Sequence, residues 1–209
     1  MPDLQSLLHR SSMQHSHLCP RQVLGVRMGM FAGEILELDL PQTKKRLLTI
    51  LETDGCFADG VEVATGCSVG HRTLRVEDYG KIAAVFVDTK NGRAIRLAPR
   101  LDVRERARLY APQETRHYFA QLEGYQIIPA DELLTIQEVS LTTPIESLVS
   151  RAGVRVNCAL CGEEIINERE IIRDGIAFCR ACAAPVYYHP IHTTAEVWNI
   201  FPILEAVGD

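Results

Sequence analysis

The stretch HSHLCPRQVLGVRMGMFAGEIL, residues 15–36, decides how the first half of the chain is read. Pro20 suits the first turn of a helix, where its missing N–H would go unpaired in any case. Beyond it Gly25, Gly29 and Gly33 recur every four residues and so share one helix face. Each glycine costs about 1 kcal/mol in a helix interior relative to alanine. Three on one stripe imply that something packs very close to the backbone: a strand, a second helix or a partner subunit. Arg27, Glu34 and Glu37 exclude a membrane-spanning version of the stripe.

Outward from this helix, residues 46–53 (RLLTILET) read as a strand ending at Asp54-Gly55, and residues 57–65 as a short helix bounded by Gly55 and Gly66. Residues 74–77, 82–88 and 94–97 are further strand candidates, the last two joined by the Asn91-Gly92 turn. Residues 101–121 form a charged helical stretch broken or kinked at Pro112, residues 132–141 an edge strand, and residues 142–153 a linker with one helical turn. The order predicts an α+β fold in residues 1–145, with helices packed on a largely antiparallel sheet. A small zinc-ribbon or treble-clef-like module is expected to follow in residues 154–190.

The chain has 209 residues, 46% of them hydrophobic and 23% charged, an ordinary balance for a globular protein. A formal net charge of −5 argues against an electrostatic nucleic-acid binder. No apolar run reaches the roughly 20 residues of a membrane helix, and the first residues lack an apolar signal core. A cytoplasmic protein with no membrane contact is expected.

Seven cysteines cannot all pair with one another, and in a reducing compartment clustered thiols read as metal ligands or reactive groups. Cys158-x2-Cys161 and Cys179-x2-Cys182 stand 17 residues apart. Each pair suits a tight knuckle, Gly162 supplies the backbone freedom such a turn needs, and Asp174-Gly175 marks a hairpin between them. Four thiolates brought together match the closed tetrahedral site of structural zinc. A module this small gains much of its folding free energy from the metal. Its four arginines face five acidic residues between positions 155 and 180, a balance that disfavours DNA.

The remaining cysteines lie near the N-terminus. His15-Ser16-His17-Leu18-Cys19-Pro20 sets two imidazoles and a thiol ahead of the glycine-striped helix, and Cys56 follows Asp54-Gly55 at another helix start. Helix N-termini favour negative charge, so thiols there are expected to ionise readily. If the two helix starts lie side by side, His17, Cys19 and Cys56 could hold zinc or another transition metal with an open position. His15 reads as an outer partner or spare ligand. Other readings of these residues are a haem-ligating Cys-Pro, a redox disulfide, and a plain buried thiol at Cys67. His71, His117, His189 and His192 have no spacing that singles them out.

Taken in order, HSHLCP, VLGVRMG, ETDGC, TGCSVG and DYGKIAAVF resemble the FmdE-like family of formylmethanofuran dehydrogenase proteins over roughly residues 11–140. The Cys158–Cys182 segment resembles the zinc module appended to many members. The resemblance implies a homodimeric α+β metal-binding domain with His17, Cys19 and Cys56 as its metal site. His15, Asp54, Cys67 and Lys81 would then be neighbours or pocket residues. The chain departs from the usual pattern at Arg21 and at His71-Arg72, where relatives carry glycine and Lys-Gly. Two functions follow. The first is a metal-binding accessory or partner of a molybdenum- or tungsten-dependent oxidoreductase. The second is a metal-dependent enzyme that activates water or a small substrate, with Asp54 as general base and Lys81 as anion stabiliser.

Overall fold

Two helices in direct backbone contact organise the first unit. Residues 2–15, 17–149 and 152–188 are described by the computed structural model, and they fall into two compact units, Met1–Val149 and Ser150–Asp209. In the first, α1 (Leu4–Gln14) precedes α2 (Pro20–Leu36), and α3 (Cys56–Thr65) lies between β1 (Leu47–Leu51) and β2 (Leu74–Val76). A Cβ placed on Gly25 would lie 2.9 Å from the Val61 amide nitrogen and closer still to the Phe57 carbonyl oxygen. Gly60 is its counterpart on α3, with Val26 N at 2.9 Å and the Gln22 carbonyl nearer again. Farther along, Gly29 meets Ala64. The contacts advance in the same direction on both helices, so α2 and α3 run parallel and their N-termini share one end. At Gly25 and Gly29 the stripe is therefore filled from within the chain, by a second helix.

The sheet has the order β2-β1-β3-β4-β5, with β3 (Ala84–Asp88), β4 (Ala94–Pro99) and β5 (Leu134–Val139). Only β1 and β2 pair parallel; the other pairings are antiparallel, and β5 forms an edge as expected. One face, including Leu47, Leu51, Phe86, Ile95 and Leu97, joins the main core under α2 and α3. The charged stretch divides cleanly at Pro112 into α4 (Val103–Tyr110) and α5 (His117–Ile127), followed by one turn of α6 (Ala130–Leu133). Arg27 on α2 reaches α5, donating to the carbonyls of Tyr125 at 2.8 Å, Gln126 at 3.0 Å and Ile128 at 2.8 Å. A cation thus satisfies carbonyls that a helix end leaves unpaired.

Two features differ from the sequence expectation. The first is α1, which no pattern in the sequence reading predicts; Asp3 caps this helix by accepting from the Ser6 amide at 3.0 Å, and Leu7 and Leu8 are buried. The second is the expected linker: its one helical turn is present as α7 (Ile145–Val149), but the segment is not a bare connection, since Leu141, Ile145 and Leu148 pack over Leu48, Val87 and Ala94 on the second face of the sheet. The reason is apolar area: those strand residues point away from the helices and need a cover.

The second unit carries two hairpins, β6 (Arg155–Asn157) with β7 (Glu164–Ile166), and β8 (Ile171–Arg173) with β9 (Ile176–Phe178). Asp174 and Gly175, with φ of 50° and 78°, form the turn of the latter, and the short α8 (Arg180–Ala183) follows. Positions 189 and 190 of the expected module, with His189 and His192, lie outside the described residues.

Because the obstacles at Gly60 are backbone atoms, Gly60→Ala is expected to cost about 3 kcal/mol in a denaturant titration. Gly70→Ala, with nothing within 4 Å, should stay within about 1 kcal/mol of the parent. A pH dependence follows from Glu52 at the end of β1, on which Arg96 closes a fork at 2.6 and 2.7 Å. That hydrogen bonding holds the Glu52 carboxyl below its ordinary value of 4.5, despite burial acting the other way. The folded value is the lower one, so the stabilisation is complete above the unfolded value and fades as pH falls through the folded one. Acid melts should show the parent losing, below pH 4.5, an increment of stability that Glu52→Gln never had.

Candidate metal centres

In the second unit, the first knuckle turns back on itself through Gly162 N–H donating to the Cys158 carbonyl at 2.9 Å and Cys158 N–H to that of Glu163 at 2.9 Å. The second cysteine pair sits at a helix start, where Cys179 is the N-cap of α8 and Cys182 lies inside it. The sulfurs of Cys158, Cys161, Cys179 and Cys182 lie within 4.8 Å of one another, with Cys161 and Cys179 at 3.9 Å. Four sulfurs at zinc–thiolate distance from one ion would be roughly 3.8 Å apart, so the set is close to closed tetrahedral size.

Electrostatics agree with the geometry. Backbone N–H groups, including that of Cys179 at 3.3 Å, pull the Cys158 thiol down to about 6. Cys182 is pushed up to about 12, first by its sulfur neighbour Cys179 and then by burial. Ionising all four thiols would crowd negative charge into one place, which a bound cation would neutralise. This cluster could hold a metal ion, and among the described residues it is the one group of three or more potential ligand atoms drawn so closely together.

In the first unit the parallel pairing of α2 and α3 brings two thiols to one place. Cys19 is the N-cap of α2 and Cys56 the first residue of α3. Gln22 steadies the α2 start: its Oε1 accepts from the Cys19 amide at 2.8 Å, while its Nε2 donates to the Ser11 carbonyl on α1 at 2.9 Å. His15, the C-cap of α1, arrives from the other side with Nε2 3.2 Å from Cys56 Sγ. Its Nδ1 is 3.0 Å from an oxygen of Asp59, one turn farther along α3. A carboxylate on one ring nitrogen and a thiol on the other fix the ring's orientation, as a metal-ligating histidine requires.

Burial raises the Cys56 thiol, followed by its contact with Cys19, while Arg21 acts in the opposite sense. The helix start therefore does not win at Cys56, because burial, and after it a second sulfur beside it, act the other way. His17 is exposed, its ring 5.6 Å from that of His15 and edge-on to it. Tyr118 of α5 donates to the Leu18 carbonyl at 3.2 Å, and burial together with Cys19 and Cys56 raises its phenol.

The remaining sequence candidates stand apart. Cys67 is 1% exposed in the main core, near hydrogen-bonding partners Thr49 and Leu47 at 3.4 Å each. The ten residues of α3 separate it from Cys56, a span of about 15 Å. It serves packing, and burial raises its thiol. Asp54 is exposed, and the carboxylate that reaches the imidazole is Asp59 instead. Lys81 lies 6.0 Å from the centre of the Tyr79 ring. Sequence reasoning missed Asp59 and Tyr118. Asp59 was within reach of it, since Cys56-x-x-Asp59 puts both side chains on one helix face; Tyr118 depends on a tertiary contact.

Residues 14–148, which include this N-terminal cluster, match a family model described as FmdE, molybdenum formylmethanofuran dehydrogenase operon. The chain belongs to the FmdE family. A curated relative from Archaeoglobus fulgidus, named a probable S-adenosyl-L-methionine-binding protein, is 30% identical over 88% of this chain. The chain spans 54% of that relative's length. The FmdE fold is also found in the crystal structure of a tungsten formylmethanofuran dehydrogenase FmdE-like protein from Syntrophus aciditrophicus. That structure is 19% identical, covers 89% of this chain and 95% of its own, and superposes with a TM-score of 0.56. Among the described residues, no helix of this FmdE protein is long and apolar enough to cross a membrane.

Proposed function

We propose that this FmdE chain is a metal-binding accessory protein that works beside a molybdenum- or tungsten-dependent oxidoreductase. In this reading Cys158, Cys161, Cys179 and Cys182 hold a structural zinc. A second transition metal, zinc or another, is bound through Cys19 and Cys56 with His15 and His17 as the imidazole donors. The observation that carries the second site is His15, set between Cys56 and Asp59 at the shared start of two parallel helices. Two thiols and imidazole form a borderline-soft donor set suited to zinc, copper or iron. Bound there, such an ion would supply Lewis acidity. The chain's own part is to orient the His15 ring through Asp59, keep Cys19 buried, and leave His17 on the open side. The partner role is supported by the family description and by the tungsten enzyme for which the structural neighbour is named.

Cytoplasmic residence and homodimerisation belong to the same reading. With α3 packed against Gly25 and Gly29, a dimer rests on the family resemblance, and a monomeric mass in solution would remove it. A second function, a metal-dependent enzyme, is favoured by one observation: a groove of 770 Å³ opens at Pro20 and Arg21, next to Cys19. Lys81 lines that groove and suits anion stabilisation there, whereas Asp54 is not among the lining residues. The archaeal relative's named ligand is not carried over, since half of that protein lies beyond the match and this groove is lined by cations.

Elemental analysis of the reduced, purified chain is expected to find about two metal equivalents. A Cys19→Ser/Cys56→Ser double variant should lose one while its melting temperature stays within about 5 °C. Collapse of the first unit on losing that metal would make it structural and contradict an open site. An unchanged metal content would remove the N-terminal site altogether.

A further inference from the structure

We infer that the groove lined by the first turn of α2 is a binding site for a small organic anion, a ligand with a phosphate or carboxylate head and an apolar body. Its use as a ligand of the neighbouring metal centre rests on the function proposed above; its affinity for the anion does not.

The charge of the groove opposes that of the chain. Overall there are 22 lysines and arginines against 27 aspartates and glutamates. The groove wall instead carries Arg21, Lys81, Arg96, Arg100 and Arg104, with Glu105 as its sole acidic member. These cations come from α2, the loop before β3, β4 and its end, and α4, so the fold gathers them from separate segments. Glu52 neutralises Arg96 from behind the wall. The others are less satisfied. Among the described residues, no carboxylate lies within 4.0 Å of the cationic heads of Arg21, Lys81 or Arg104. Arg100 Nε is shut off from solvent without a hydrogen-bond partner, its nearest carboxylate oxygen being that of Asp102 at 3.6 Å. That distance is too long for a hydrogen bond. Cations concentrated in a concave site of low polarity focus their field on an anion more strongly than scattered surface charges do.

Size and lining define the rest of the ligand. A volume of 770 Å³ falls within the range that holds small organic molecules and far exceeds one inorganic ion. Leu24, Ile82, Val103 and the largely buried Tyr125 supply apolar surface. Burial raises the Tyr125 phenol to about 12, so this 2%-exposed ring stays neutral and adds to the apolar lining. Arg21, which lines the groove, follows Cys19 by two residues at the start of α2. A ligand head held by Arg21 would therefore lie at the start of α2, the helix that Cys19 caps.

The test is a titration of the ¹⁵N-labelled full chain with pyrophosphate and, separately, with citrate, read from amide chemical shifts at constant ionic strength. Saturable shifts are expected at Arg21, Leu24, Lys81, Arg104 and Tyr125, and the tighter of the two probes identifies the head group. Arg21→Gln/Arg104→Gln, both at exposed positions, should weaken that binding at least tenfold; Lys44→Gln, an exposed cation outside the groove, should leave it unchanged. Non-saturating shifts with both probes, or equal loss in Lys44→Gln, would overturn the inference. Metal content measured on the same samples separates the two ideas. Saturable anion binding by a chain with no N-terminal metal sinks the metal reading and leaves the groove, and a second metal with no anion binding does the reverse.

Discussion

The contact between Gly25 and Gly60 is the constraint on which the first unit depends. Two helices can approach until their backbones touch only where neither carries a Cβ, and here each helix offers its glycine to the other's main chain. That approach sets the pair parallel, in register, with both N-termini at one end. Cys19 and Cys56 are far apart in sequence and occupy those two ends because of it. α1 then completes the arrangement, since Gln22 ties its Ser11 carbonyl to the start of α2 and so places His15 against Cys56. The loss of helix propensity at the glycines is offset by packing that no larger residue would permit.

Much of this is legible in the chain itself. The glycine spacing implies close backbone approach, Pro20 and Gly66 bound their helices, and Asn91-Gly92 and Asp174-Gly175 mark hairpins, because those residues act through their own backbone angles. What sequence cannot choose is the identity of the packing partner: strand, helix and second subunit all satisfy a glycine stripe. α1 escapes because its signal is slight, a single capping residue, Asp3, ahead of a short and mostly polar helix. The helical turn of α7 is legible but its packing is not, because its apolar residues cover a sheet face whose exposure becomes visible only once the strands are paired. The His15–Asp59 pairing shows the same limit, since it joins the end of one helix to the first turn of another.

The two thiol clusters differ in how their geometry is generated. Around Cys158 the turns are local, each knuckle closing within a few residues, and four sulfurs converge with no help from distant segments. Around Cys56 the donors come from three helices and are only as well placed as the packing that holds them. A closed cluster of the first kind suits a structural ion; a cluster assembled from helix ends, with one imidazole left exposed, suits a site at which ligands exchange. The cation-lined groove includes Pro20 and Arg21, which directly follow Cys19 in the chain.

Anomalous difference maps from crystals of the metal-loaded chain, collected on either side of the absorption edge of the metal found, test the central claim most directly. Two peaks are expected, one enclosed by Cys158, Cys161, Cys179 and Cys182, the other bounded by His15, Cys19 and Cys56 at the start of α2 and α3. A single peak in the four-cysteine cluster, with His15 still resting on Cys56 and no density between them, would contradict it.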